Sequence, residues 1–295
     1  MVRLFTPYGE YLRNKFGVKV QKLSVNAGFS CPNRDGSIGR GGCIYCDNRS
    51  FTPSYCNQSD SVTEQIEKGK LFFGRKYPEL KYIAYFQAYT STYSVSLSRL
   101  TELYCEALGV DDVVGLVIGT RPDCFDKRLA ELLGEIGCGE KKVLVEFGAE
   151  SSHDETLLMV NRGHTWQQTA DAVWRAHDVG IDVGLHFIMG LPGETHDMML
   201  RTVERAVELP VSSLKFHQLQ VIYGTILHRR WKNGELNLQL FDVDSYLDLC
   251  REICDIVPKS IAIERFTSSA PAELLVAPKW GIKNYEFVNR LLSSC

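Results

Sequence analysis

No stretch of this 295-residue chain approaches the roughly 20 consecutive apolar residues that a membrane-spanning helix needs. The opening residues, MVRLFTPYGEYLRNKFG, break their few apolar positions with charge and lack an apolar core. They predict no secretory signal, a cytoplasmic location and no membrane partner. Low-complexity tracts, internal repeats and Pro/Gly/Ser-rich linkers are also missing, which predicts one main domain. Charge of one sign is scarce in excess: the net charge of −3 excludes a chain that holds nucleic acid by bulk charge, but leaves a local basic patch open. Disorder is not expected, because 44% hydrophobic and 23% charged residues are ordinary for a globular protein.

What is present begins with ten cysteines. Without a secretory signal they argue against a disulfide framework, so some are expected as metal ligands and the rest as small buried residues. Short β-branched-rich runs recur at 18–26, 81–89, 113–120, 141–150, 181–190 and 212–222. Between them, 61–77, 96–109, 125–137, 165–180 and 195–209 have helical period, the first opening on Ser or Thr with Glu in its first turn. Six strands alternating with helices imply parallel strands joined by right-handed crossovers. A doubly wound sheet, a partial barrel and a full barrel all satisfy this pattern, and each gathers its ligands at the C-terminal strand ends. IAIERF, at 261–266, is a candidate extra edge strand.

The first strand runs into SVNAGFSCPNRDGSIGRGGCIYCDN, which spaces Cys31, Cys43 and Cys46 as C-x11-C-x2-C in a Gly-rich loop. A cubane cluster held by three thiolates keeps one iron free for another ligand. Glycines 39, 41 and 42 let the backbone turn tightly around such a group. Two other readings stay open on spacing alone. A structural zinc site would want a fourth ligand, which Cys56 could supply, and three unrelated core cysteines are the plainest alternative.

With its aromatic Tyr45, this loop resembles a long-gapped variant of the cluster loop of radical S-adenosylmethionine (SAM) enzymes, whose commonest spacing is C-x3-C-x2-C. The variant is similar to that of a bacterial subfamily related to the Elongator-type and coproporphyrinogen-dehydrogenase-type enzymes. Further segments resemble the family in order: FQAYTSTY (86–93), where the usual Gly-Gly-Glu is absent, GTRPD (119–123), EFGAESSHDETLLMVNRGHT (146–165), HFIMGLPGET (186–195) and FHQLQVIYGTIL (216–227). The resemblance covers roughly residues 16–290. It implies an α/β fold, a partial (β/α)6 TIM-like barrel of parallel strands. Residues 1–15 would form an N-terminal segment, 16–258 the core domain, and 259–295 a short C-terminal extension packing on it.

The resemblance also implies a four-iron, four-sulfur cluster on Cys31, Cys43 and Cys46, and SAM chelated to the open iron. An injected electron would cleave SAM to a 5′-deoxyadenosyl radical that takes a hydrogen atom from substrate, with a reducing donor such as flavodoxin or ferredoxin. The matching positions for SAM are Tyr45, Gln87, Thr120, Arg121, Glu150, Arg162, His186, Met189 and Gly190, with Leu191 beside them. Plainer roles exist for several. Glu150 could cap a helix, Arg162 could be a helix-end cation, and His186 could be a satisfied core histidine. Tyr45 could pack on its loop, and Thr120 and Arg121 could order the turn before Pro122.

No catalytic side chain is assigned; Cys56, Cys124 and Tyr89 are candidates. Cys250 and Cys254 share a helix face but make only a pair, and Cys105, Cys138 and Cys295 are scattered. The resemblance implies one substrate, transfer RNA (tRNA), with the carboxymethyl part of 5-carboxymethylaminomethyluridine removed at the wobble position to leave aminomethyluridine. Candidate RNA contacts are Tyr89, Tyr93, His217, Tyr223, HRRWKNG (228–234) and the segment 264–284, although a charge run is as readily a solvated surface. Lys279 and Trp280 could equally belong to a barrel-closing extension. Two alternatives remain: a radical SAM oxidoreductase for a small metabolite or tetrapyrrole, and a metal- or cluster-bearing binding protein without turnover.

Overall fold

A computed structural model describes residues 4–74, 80–268 and 270–293. In chain order the elements are β1 (Thr6–Pro7), α1 (Tyr8–Phe16), β2 (Val20–Val25), α2 (Pro32–Asp35), α3 (Val62–Gly74), β3 (Lys81–Phe86), α4 (Leu97–Leu108), β4 (Val113–Thr120), α5 (Lys127–Gly137), β5 (Lys142–Glu150) and α6 (Asp154–Met159). They continue with α7 (Trp166–Asp178), β6 (Asp182–Met189), α8 (His196–Val207), β7 (Ser213–Gln218), β8 (Val221–Ile222), α9 (Ile226–Lys232), α10 (Val243–Ile256), β9 (Ala262–Ile263), β10 (Leu275–Ala277) and α11 (Asn284–Ser293). Short 3-10 turns at Asn48–Ser50 and Pro122–Cys124 complete the connections.

Eight strands pair in the order β1-β9-β7-β6-β5-β4-β3-β2, and each neighbouring pair is parallel. This is a curled half-barrel, the α/β architecture expected, with β1 and β2 as its two edges. All six anticipated strands form. The 261–266 segment differs from its expectation as an edge: Ala262–Ile263 lies between β7 and β1, because the two-residue β1 pairs outside it. The last expected strand, 212–222, divides into β7 and β8, and β8 turns away to pair antiparallel with β10. Residues 75–77 of the expected first helix, and Cys295, lie outside the described residues.

Capping explains where the helices start. Ser96, Asp126, Thr195, Thr225 and Asp242 each accept a backbone N–H from the third residue on, and Thr165 with Gln168 forms a reciprocal capping box. One such cap contributes about 1 kcal/mol. The helices cover one face of the sheet through Ala84, Phe86, Leu116, Ile118, Val145 and Phe147, buried residues that alternate along β3 to β5.

The opposite face of the same strands is layered. Ile83, Val117 and Leu144 pack against Tyr8 and Leu12 of α1. One step of two residues further along lie Tyr85 and Glu146, and beyond these come Gly148 and Glu150 at the C-terminal end of β5. A short helix thus closes the N-terminal end of the interior, a polar layer follows, and a cavity opens at the strand ends.

Candidate active site

The loop after β2 is stitched to distant parts of the chain. Gly41 and Gly42 have φ of +83° and +78°, which only glycine adopts cheaply. The Ile44 amide donates to Val160 O at 3.0 Å, the Leu227 amide donates to Ile44 O at 2.8 Å, and Asn161 Nδ2 donates to Gly42 O at 2.8 Å. Asn33 Nδ2 donates to Asn161 O and points at Cys43 Sγ, 3.7 Å away. Ile44 sits in an apolar cluster with Val160, Leu191, Leu219 and Leu227, so the loop is packed as well as bonded.

Cys31, Cys43 and Cys46 line one cavity of about 480 Å³. Burial, followed by the neighbouring Cys43, pushes the Cys46 thiol up to about 12. Gathered thiolates of this kind repel one another unless a cation lies among them. Among the described residues no three His, Cys, Asp or Glu side chains close on a single ion. All three thiols line the same cavity, where a cluster could take one ligand from each. Arg162 reaches them: its Nη1 donates to Cys43 Sγ at 3.5 Å, its Nη2 to Gly148 O at 2.6 Å and its Nε to His164 Nε2 at 3.0 Å. Burial and the adjacent Arg162 hold His164 down at about 2, so it is neutral and can accept that bond. The Asn-Arg-Gly-His segment, 161–164, therefore backs the cysteine loop directly.

Glu150 closes the same corner. Its φ is +67°, and the Ser151 amide donates to Ala149 O at 2.9 Å across it, the mark of a strained three-residue turn. Its carboxylate lies 3.5 Å from Arg162, and burial raises its pKa against the pull of Arg162 and Arg121. A Cβ at Gly148 would meet Arg162 Nη2 at 2.6 Å and Glu150 Oε1 at 2.7 Å, so a larger residue there would displace one of these two side chains.

Tyr45, Gln87, Tyr89, Thr120, Arg121, Glu150, Arg162 and His186 all line the cavity. Arg121 is gripped by Asp123 through Nε and Nη2, both at 2.9 Å, which leaves its buried Nη1 without a partner. The buried hydroxyl of Tyr45 is likewise unpartnered. Thr120 Oγ1 is engaged by Thr92 Oγ1 at 2.6 Å, and Gln87 Oε1 accepts from Ser24 Oγ at 3.4 Å. Tyr89, 40% exposed with φ +56°, stands at the mouth, where the Arg34 guanidinium lies 5.7 Å from its ring centre.

Met189 and Gly190 are placed behind the wall. Met189 is buried in the helix-side core, and Gly190 donates to Met199 Sδ at 3.0 Å and packs against Phe241. Leu191 supports the cysteine loop from beneath. Cys56 donates to Ser24 O at 2.9 Å in a separate small cavity. Burial pushes its thiol, and that of Cys124, up to about 12, the reverse of an activated nucleophile. Cys250 and Cys254 are core residues of α10.

The polar layer beneath the thiols was not visible in the sequence. Glu146 accepts from Lys22, from Tyr85 OH at 2.7 Å and from His186 at 2.7 Å, with Lys215 Nζ at 3.6 Å. Glu264 pairs with Lys22 at 2.7 Å and Lys215 at 3.0 Å. Burial works against charge on Glu146, but Lys22, Lys215 and His186 together hold its pKa well below the ordinary carboxylate value. Lysine in VQKLSV reads as a solvent-facing strand residue; only the curl of the sheet turns that face inward.

These residues fit a cluster with a polar, charged ligand beside it: three thiols lining one cavity, a guanidinium on one of them, and two unpartnered buried donors, Tyr45 OH and Arg121 Nη1, on residues that line the same cavity.

The profile of the radical SAM superfamily matches residues 31–206, and that of the Radical_SAM C-terminal domain matches 211–295. Protein YhcC of Escherichia coli is 37% identical over 278 residues, covering 94% of this chain and 88% of its own length. A tRNA uridine(34) acetyltransferase of Methanocaldococcus infernus is 29% identical over 167 residues, 55% of this chain and 30% of that protein. Among solved structures, the archaeal Methanocaldococcus infernus Elp3 with an N-terminal deletion superposes with a TM-score of 0.67 at 18% identity. That match covers 93% of this chain and 63% of the archaeal one, and at such identity it speaks for the fold.

Proposed function

The chain belongs to the radical SAM superfamily, and from that premise we propose that this radical SAM enzyme processes the modified wobble uridine of tRNA. The reaction would be an oxidative removal of the carboxymethyl part of 5-carboxymethylaminomethyluridine: its CH2 would lose a hydrogen atom to the 5′-deoxyadenosyl radical and a second electron to the oxidised cluster, and water would cleave the C–N bond of the resulting imine to release glyoxylate and leave aminomethyluridine. When bound, the four-iron cluster and SAM of the superfamily, fed by a reductant, supply a 5′-deoxyadenosyl radical that takes a hydrogen atom from substrate.

In this reading Cys31, Cys43 and Cys46 hold the cluster, and Arg162 donates a charge-assisted hydrogen bond to the Cys43 sulfur. Arg121, fixed by Asp123 and with its Nη1 unpartnered, would hold the carboxylate of SAM, and Glu150 would hold its cationic part or ribose hydroxyls. The Tyr45 hydroxyl is available to the same ligand. The enclosing walls exclude water from the reacting groups. Flavodoxin or ferredoxin would serve as the electron donor.

The observation that carries the reading is the single cavity that joins three thiols to a deep polar interior, wide enough for a cofactor and part of a substrate. The RNA assignment draws on the archaeal relative, a tRNA uridine(34) acetyltransferase, and on the surface. Tyr223 is 62% exposed and lies tilted against His228, ring centres 5.3 Å apart, next to exposed Arg229 and Lys232 of α9, the kind of aromatic and cationic patch that single-stranded RNA loops use. Trp280 is instead occupied, stacking on Phe287 and donating to Phe241 O.

Anaerobically reconstituted protein, given dithionite, SAM and tRNA carrying carboxymethylaminomethyluridine, is expected to convert it to aminomethyluridine, read by nucleoside digestion and mass spectrometry. Unchanged tRNA alongside steady 5′-deoxyadenosine formation would move the substrate to a small metabolite or tetrapyrrole.

A further inference from the structure

The deep end of the cavity carries a cation that the protein does not neutralise. In the polar layer each charged group has an opposite partner: Lys22 and Lys215 face Glu146 and Glu264. Arg265, just past the end of β9, is different. Among the described residues no carboxylate lies within 4.0 Å of its guanidinium; its Nη2 lies 3.3 Å and 3.4 Å from the two ring nitrogens of His217. Its Nε is buried and has no hydrogen-bond partner at all.

His217 cannot supply the missing negative charge. Burial, followed by Arg265 and Lys215, keeps its pKa well below the ordinary imidazole value, so the ring is neutral. Because Nη2 is almost equidistant from the two ring nitrogens, the guanidinium lies over the neutral ring rather than on one lone pair, so His217 does not satisfy it as an acceptor. Both side chains line the cavity. They come from β7 and from the end of β9, at the other end of the strand order from the β2 loop that carries the thiols. A half-buried guanidinium that lines a cavity, with its Nε shut off from any partner and no carboxylate beside it, is a ready site for an anion.

We propose that Arg265, with His217 beside it, is the receptor for an anionic group of the substrate, a carboxylate or a phosphate, held in the cavity that the three thiols also line. This deepens the proposed function and rests on it only in taking the cavity as a substrate site. The carboxymethyl group of the proposed uridine is one carboxylate of the right class; a nucleotide phosphate offers the same chemistry. The planar guanidinium fork suits either oxyanion. Arg121, near the thiols, is left for the carboxylate of the cofactor.

The test is thermal melting of the anaerobic holoenzyme titrated separately with sodium acetate and with inorganic phosphate at constant ionic strength. Ligands that bind only the folded state raise the melting temperature saturably. Wild type is expected to respond to at least one anion: to acetate if the group is a carboxylate, to phosphate if it is a phosphoryl group. Arg265→Gln is expected to raise the half-saturating concentration by about tenfold or more, the loss of a charge-assisted hydrogen bond, and Arg265→Lys to recover part of it. Stabilisation by SAM is expected to be unchanged in both variants.

No saturable response in wild type, or an Arg265→Gln titration matching wild type, would overturn the proposal. A parallel loss of SAM binding would reassign the anion to the cofactor and overturn it as a substrate site. Should Arg265→Gln not fold, wild type and Arg265→Lys still decide the matter. Formation of 5′-deoxyadenosine without substrate, measured on the same preparations, reports on the radical reading independently of the anion site.

Discussion

Glu146→Gln is expected to lower stability by about 3–5 kcal/mol, the usual cost of stranding a buried charge. For a chain of this size that corresponds to a fall in melting temperature on the order of 10 °C. Glu146 is 2% exposed and accepts from Lys22, Tyr85 and His186 at once, with Lys215 alongside. The substitution keeps the shape and most of the hydrogen-bonding capacity but removes the charge. Two buried ammonium groups are then left to share Glu264. Burial alone would raise the Glu146 pKa, yet its cationic neighbours hold it well below the ordinary value of 4.5. A carboxyl whose pKa is depressed by folding contributes fully above its unfolded value and loses that contribution as the pH falls through its folded value. The gap in melting temperature between wild type and variant should therefore be complete at neutral pH and should close in strong acid. A variant within about 2 °C of wild type at neutral pH would show that the polar layer does not hold the barrel interior together.

Arg162→Met is expected to leave the iron content near that of wild type while making the cluster harder to reduce. The guanidinium donates to Cys43 Sγ at 3.5 Å, and hydrogen bonds and positive charge at the sulfurs stabilise the reduced cluster. Losing a charge-assisted hydrogen bond of about 1.5–3 kcal/mol, at 59 mV per tenfold for one electron, lowers the potential by on the order of 100 mV. Arg162→Gln, which can keep a neutral donor near the sulfur, should fall between the two. Redox titration followed by electron paramagnetic resonance measures the shift. Equal potentials in all three proteins, with intact iron, would mean that the guanidinium does not act on the cluster. The Arg162 contacts to Gly148 O, His164 and Glu150 make some loss of stability certain as well, so melting must be measured alongside.

The expected strands and helices were legible because patterns of period two and 3.6 sit between good caps: Ser96, Asp126, Thr165 and Thr195 all announce their helices. The cysteine loop was legible from its spacing and its glycines, and the positions around the cavity from motifs following each strand. What escaped depends on the curl of the sheet. Thr6–Pro7 is too short to show a period, yet it forms the edge and leads into the helix that plugs the interior. Lys22, Glu146 and Lys215 sit in different strands and become a network only when the sheet curls.

Strand parity explains the finer placements. His186 and Ile188 of β6 face the cavity, whereas Phe187 and Met189 face the helices, so Met189 is in the core while His186 joins Glu146 below the thiols. Arg162 is one of the positions matched to SAM; in the structure it donates to Cys43, Gly148 and His164, while Arg121 has a buried donor, Nη1, without a partner. His164 gave no signal beyond its place after Asn161, Arg162 and Gly163, because its role is set by burial rather than by neighbours in sequence.

The most direct test of the central claim is anaerobic purification with iron and sulfide analysis, joined to a dithionite-driven assay for 5′-deoxyadenosine from SAM in wild type and Cys43→Ala. The account predicts about four irons per chain and nucleoside formation in wild type, with both lost to background in the variant. Zinc in place of iron after iron–sulfur reconstitution, or a Cys43→Ala protein that still cleaves SAM, would contradict it.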